Sequence, residues 1–206
     1  MTDLVWARPW WVNLLILVPV LTFYFFRRNR PSLGTRQLLI SGLFAIAFSF
    51  IEASVVIYLR AITGFLTGSG LSEVTNLSSN FYREARIVVD FPPSLLKIEI
   101  LREAATILIL GSVAFLTVRR IRERCAIFLW VFAIWDIFYY LSLRLTVGWP
   151  SSLKTPDVLF LIPIPWVSQV WFPLIVSTLT LLSIMAVRTG PAQRKTAVTS
   201  LRERAS

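Results

Sequence analysis

Residues 94–118, SLLKIEILREAATILILGSVAFLTV, form an apolar segment of 25 residues whose first half carries Lys97, Glu99, Arg102 and Glu103. At about 1.5 Å rise per residue such a segment crosses a bilayer as one helix. An acidic or basic side chain centred in hydrocarbon costs roughly 2.5 to 3.5 kcal/mol on insertion scales. These charges must therefore turn toward other protein segments or water. The fold is thereby restricted to one in which neighbouring helices shelter a polar face.

The other apolar runs say what those neighbours are. Of 206 residues, 56% are hydrophobic, the mean hydropathy is +0.70, and the apolar residues fall in long blocks rather than alternating with polar ones. Blocks of this length indicate a polytopic helical bundle, whereas a β-barrel would read as short alternating segments. We expect an all-α transmembrane bundle of five spans, about 10–26, 38–59, 94–118, 125–147 and 167–187, forming a single domain over 1–187 with a basic tail at 188–206. Pro19 is tolerable as a kink in the first span. Ser41, Ala45, Ser49 and Ala53 make an unbroken small-residue ladder in the second, which allows another helix to approach closely. Residues 60–93 read as a long polar outer loop, with a short surface helix expected within 71–89 and a glycosylation sequon at Asn76 that matters only in a eukaryotic host.

The last apolar stretch, 158–187, is too long for one untilted crossing, and Pro163 and Pro165 would each break a helix. We therefore expect Thr155, Pro156 and Asp157 to start a short outer segment over 157–165, with a break at 163–166 that roofs the bundle and frees its carbonyls.

The formal charge of +10 would suggest nucleic acid in a soluble protein, but here its distribution describes topology, and no nucleic-acid partner is expected. Residues 27–37, 119–124 and 188–206 hold thirteen of the 21 Lys and Arg residues and only Glu123 and Glu203 of the acids. The rest of the chain holds eight basic and nine acidic residues. The positive-inside rule then gives N-terminus out and C-terminus in. The Trp residues near the span ends read as interfacial belts rather than a cofactor box.

Cys125 is the single cysteine and there is no histidine. That removes zinc, haem and iron–sulfur ligand sets, an intrachain disulfide, and nucleophilic catalysis of the Ser-His-Asp or Cys-His kind. No cofactor is expected. Measured from the outer helix ends, Glu99, Glu52, Glu103 and Asp136 lie roughly 8, 12, 14 and 17 Å deep. With Arg60, Arg102 and Arg144 at similar or shallower depth, and with Tyr139 and Tyr140 beside Asp136, they are the candidate lining of an outward-facing pocket. The competing reading is a set of structural ion pairs. Four carboxylates suit a hard cation such as calcium, magnesium or manganese, but the arginines compete with it, and no bound metal is expected.

The segments EILREAATIL, WDIFYYLSLRLTVGWP and DVLFLIPIPW resemble uncharacterised multi-pass membrane proteins of bacteria, over the third span to the middle of the fifth. That resemblance implies a bacterial inner-membrane location and brings no activity with it. Three functions follow from the residues. The first is an accessory or binding subunit, with the bilayer, a protein partner or a second copy as its partners. The second is a proton- or cation-coupled transporter or channel element using Glu52, Glu103 and Asp136; there is no internal repeat to support it. The third is a membrane enzyme on a lipid or isoprenoid, with Asp136 or Glu103 as acid or base.

Overall fold

A computed structural model describes residues 6–62 and 93–188, with side chains described throughout except at 59–62. A 3₁₀ helix, Trp10–Ile16, runs into α1 (Leu17–Arg28) and is followed by α2 (Thr35–Ile62), α3 (Pro93–Thr117) and α4 (Ile121–Val147). A two-stranded antiparallel sheet, β1 (Pro156–Phe160) and β2 (Trp166–Gln169), then precedes α5 (Trp171–Val187). The expected outer loop with its surface helix and sequon, and the tail beyond Arg188, lie outside the described residues.

The fold is a helical membrane bundle. Four helical stretches, Trp10–Arg28, Thr35–Tyr58, Pro93–Thr117 and Ile121–Val147, are long and apolar enough to cross a bilayer. Their outer faces carry large apolar side chains open to the surroundings, among them Leu108 at 71% and Leu116 at 87% exposure, as lipid-facing helices require. α5 has 17 residues, about 25 Å of helix, against a hydrocarbon thickness of about 30 Å.

Helix α4 is the centre of the bundle. It packs against α2, α3 and α5, while α1 leans on α5. The small-residue ladder explains the α2–α4 approach: Ser41, Ala45, Ser49 and Ala53 are all buried. A Cβ added at Gly42, one position along, would come within 3.3 Å of the Ile134 side chain on α4. Ser41 and Ser49 donate their hydroxyls to the Leu38 and Ile46 carbonyls, so the ladder hides no orphan hydroxyl. Trp130 of α4 donates its indole N–H to the Leu38 carbonyl at 3.1 Å, fixing the height of one helix against the other.

Local sequence sets the helix ends. Pro19 falls in the first turn of α1, where a missing N–H costs least, just after the 3₁₀ helix gives way to α geometry. α4 ends at Gly148, whose φ of 73° is the left-handed cap conformation open to glycine. Its N–H bonds the Arg144 carbonyl, and the Arg144 guanidinium returns to the Gly148 and Pro150 carbonyls at 2.5 and 2.9 Å.

The 157–165 segment departs from expectation. Thr155, Pro156 and Asp157 do not start a helix; 156–160 is a strand, and 166–169 returns beside it. Two prolines in LIPIPW forbid a helix but leave a turn, and WVSQ beyond it returns beside β1 with Val167 and Ser168 buried. The ladder pairs 156–160 with 166–169, so the expected break is the turn of a hairpin. The other edge of β2 is closed by Arg8, whose N–H and carbonyl both pair with Val167, at 2.8 and 2.7 Å. α5 accordingly begins at Trp171 rather than at 167.

Replacing Ala45, fully buried in the α2–α4 seam, by Leu forces the two helices apart, at an expected cost of about 1 to 3 kcal/mol. A lowered melting temperature in detergent checks this, against Leu116→Ala on the lipid-facing side, which leaves it nearly unchanged.

Candidate functional site

The charges of α3 meet their answer on α2. Arg102 grips Glu99, one turn back on its own helix, through Nε and Nη2, with Nε at 2.9 Å from Oε2. Its Nη1 pairs with Glu52 Oε2 on α2. The planar guanidinium thus serves two carboxylates in two directions, a geometry that a lysine ammonium does not reproduce. Glu52 Oε1 accepts a further bond from the Thr106 hydroxyl at 3.0 Å. Both glutamates are buried.

Glu103, one residue further along α3, turns toward the hairpin instead. Its Oε2 accepts the Leu161 backbone N–H at 2.8 Å, just where β1 ends. Glu103 is ten residues into α3, so the far end of the hairpin reaches about 15 Å along that helix from its start. The near end is held at the start of α5, where Val170 and Trp171 donate to the Thr155 and Leu153 carbonyls. The hairpin therefore dips into the bundle. Irregular backbone at such a depth is tolerated where it is buried in protein or lines a cavity.

On α4, Asp136 accepts the Ser177 hydroxyl of α5 at 2.7 Å. One turn further, Tyr140 donates to Asp157 of β1 at 2.8 Å. Tyr139 stacks on Trp135 and meets Tyr140 edge to face, with centroids 6.0 and 5.3 Å apart. Each of these acids is thus tied to a different element.

All of these groups line one cavity of about 770 Å³, bounded by α3, α4, α5 and the hairpin, with Leu15, Val18, Glu52 and Val56 contributed from the first two helical stretches. That volume lies in the range of small-molecule sites. Seven of the sequence candidates stand in its wall: Glu52, Glu99, Arg102, Glu103, Asp136, Tyr139 and Tyr140. Arg144 does not; it is spent on the end of α4. The side chain of Arg60 is outside the described residues. The wall adds Asp157, Thr106 and Ser177, together with Phe128, Phe132, Phe160 and Phe172. Thr106 was readable, being four residues from Arg102 on the same helix face. Asp157 was masked by its N-cap-like setting, and Ser177 carries no sequence signal at all.

The charge of the wall is one-sided. Five carboxylates face the cavity with Arg102 as the single basic side chain among the described residues lining it. They are spread out, and no three His, Cys, Asp or Glu residues among those described stand close enough to share a metal ion.

Compared with protein-family models, with curated proteins and with solved structures, the chain matches none.

Removing the guanidinium by Arg102→Leu leaves two buried carboxylates facing each other without a cation, an expected loss of about 3 to 5 kcal/mol. The triple change Glu52→Gln, Glu99→Gln, Arg102→Met restores most of it, read as melting temperature in detergent; equal melting of Arg102→Leu and the parent protein contradicts the pairing.

Proposed function

We propose that the protein is a multi-pass membrane binding protein, an accessory subunit or receptor, that holds an amphiphilic molecule in the cavity between α3, α4, α5 and the hairpin. The observation that carries this reading is the mixed chemistry of the wall, which combines phenylalanines and aliphatic residues with five carboxylates. An apolar chain suits the former. A head group with hydrogen-bond donors or a positive charge suits the latter, because the wall offers acceptors in excess. Phe128, Phe132, Phe160 and Phe172 would hold the chain; Glu103, Asp136 and Asp157 would orient the head. Relay and enzyme readings use the same acids but need a proton path or a reacting substrate in addition.

For topology we propose five crossings, with α5 as the shortest, the N-terminus outside, the C-terminus inside, and a bacterial inner membrane as the location. The support is the placement of arginines. Leu33 and Val118 share a core with Phe26, Ile127, Ile184 and Val187, which gathers both short helix connections and the end of α5 at one end of the bundle. Nine arginines in the described parts of those segments stand there beside a single acid, Glu123. The cavity then lies toward the outer side, near the ends where α4 stops and α5 starts.

Two experiments test these statements. Protein purified in mild detergent is expected to carry a co-purifying amphiphile by native mass spectrometry, lost in Val176→Trp, which fills the cavity, and exchanged more readily in Asp136→Asn. Identical spectra from folded parent and Val176→Trp protein would sink the binding reading, and proton or cation flux in liposomes that Asp136→Asn abolishes would replace it with the relay. For orientation, Cys125 is exposed at the arginine-rich end. A membrane-impermeant maleimide added to intact cells is expected to leave it unlabelled, and to label a cysteine placed at exposed Ser152 in a Cys125→Ser background.

A further inference from the structure

Away from the cavity, the last turn of α1 carries two guanidiniums on adjacent aromatic rings. The Arg27 guanidinium lies 4.4 Å from the Tyr24 ring centroid. That of Arg122, from the first turn of α4, reaches across to lie 5.7 Å from the Phe25 centroid. Neither aromatic ring is covered: Tyr24 and Phe25 are both more than half exposed. Arg28 stands next to them, also exposed. Leu17, Leu21 and Tyr24 follow one another at helical spacing on one face of α1, all exposed, and Arg28 is the next position of that face.

The platform under these arginines is fixed. Leu33 and Val118 are buried, Gln37 receives the Gly34 N–H and donates to the Thr117 carbonyl, and Arg124 donates to the Val118 carbonyl while lying 4.4 Å from the Phe115 ring. A rigid end with nine arginines and one acid keeps a surplus of positive charge that no described side chain offsets. Such a surplus attracts anions from the surroundings.

We propose that this corner of α1 and α4 is a binding site for an anionic phospholipid, with its phosphate between Arg27, Arg28 and Arg122 and an acyl chain along Leu17, Leu21 and Tyr24. Charge complementarity selects the anionic head group, since a zwitterionic one brings its own cation to a site already rich in them. The apolar stripe running away from the arginines selects a lipid over a free anion. The aromatic rings hold the guanidiniums at the level where the stripe begins. This site is independent of the cavity and does not rest on its occupant.

The test places the purified protein in nanodiscs of phosphatidylcholine with a minor fraction of phosphatidylglycerol and counts retained lipids by native mass spectrometry after gentle release. Phosphatidylglycerol is expected to be enriched about tenfold over its bulk fraction, and the enrichment to fall toward parity in Arg27→Gln/Arg28→Gln/Arg122→Gln. Arg119→Gln/Arg120→Gln, in the α3–α4 connection and outside the proposed phosphate site, is expected to keep most of it, and added inorganic phosphate is expected not to displace the lipid. The single variant Arg122→Gln, which leaves α1 intact, should lose part of the enrichment with an unchanged melting temperature. Parity in the parent protein, full enrichment in the triple variant, equal loss in the Arg119/Arg120 pair, or displacement by phosphate would each overturn the site.

Discussion

Hiding charge from water is the constraint on which this structure turns. Arg102 on α3 has no place in hydrocarbon alone, and neither has Glu52 on α2. Joined with Glu99, the three form a compact cluster closed by the Thr106 hydroxyl. The cluster has a mechanical effect as well. α2 lies against α4 over a long seam but meets α3 far less extensively, so the Arg102–Glu52 contact is the principal polar tie between them. A buried pair of this kind is weak evidence for net stability, since apolar residues of similar volume can do as well. What it supplies is a unique register: only one height of α2 against α3 satisfies both carboxylates.

The hairpin solves a related problem for backbone rather than side chains. A chain with prolines at 163 and 165 cannot continue as helix, yet unpaired N–H and C=O groups within a membrane bundle cost several kcal/mol each. Antiparallel pairing satisfies the inner edges, Arg8 covers the outer edge of β2, and Glu103 takes the Leu161 N–H at the end of β1. Trp11 meets Trp166 edge to face with centroids 5.0 Å apart, so the segment before α1 is packed onto the same hairpin. A carboxylate on α3, a tyrosine on α4 and the residues ahead of α1 thus all hold one non-helical insert in place.

Much of this was legible in residue order. The apolar blocks give the helices, since length and hydropathy set what can cross a bilayer, and the intramembrane acids mark where the polar interior lies because they have nowhere else to go. The ladder Ser41, Ala45, Ser49, Ala53 announces a close neighbour without naming it; α4 becomes that neighbour only through the bulk of Trp130 and Ile134, which fits against small residues. The hairpin was not legible. Its strands are four and five residues long, and a short apolar run reads equally as helix or strand when its partner is separated by prolines. Arg144 misled because depth along a helix says nothing about direction, and a basic side chain in the last turn is drawn to the carbonyls of the helix end.

The cavity has a topological origin. α3 and α5 both pack on α4, but they scarcely touch each other. Two helices flanking a third in this way leave a wedge, and in most bundles side chains from the flanking pair close it. Here the hairpin enters the wedge from one end and stops short of filling it, while Phe132, Trp135, Asp136 and Tyr139 of α4 form the back wall. The polar groups of the wall follow from the same arrangement: Glu103, Asp157 and Ser177 sit on the three elements that bound the wedge, and each is bonded to a neighbouring element. Had α3 met α5 directly, Glu103 would have lain against a helix that carries no basic side chain between Trp171 and Val187, where burying a carboxylate is costly. Separation of the two helices leaves room for the hairpin, whose Leu161 N–H takes up that carboxylate instead.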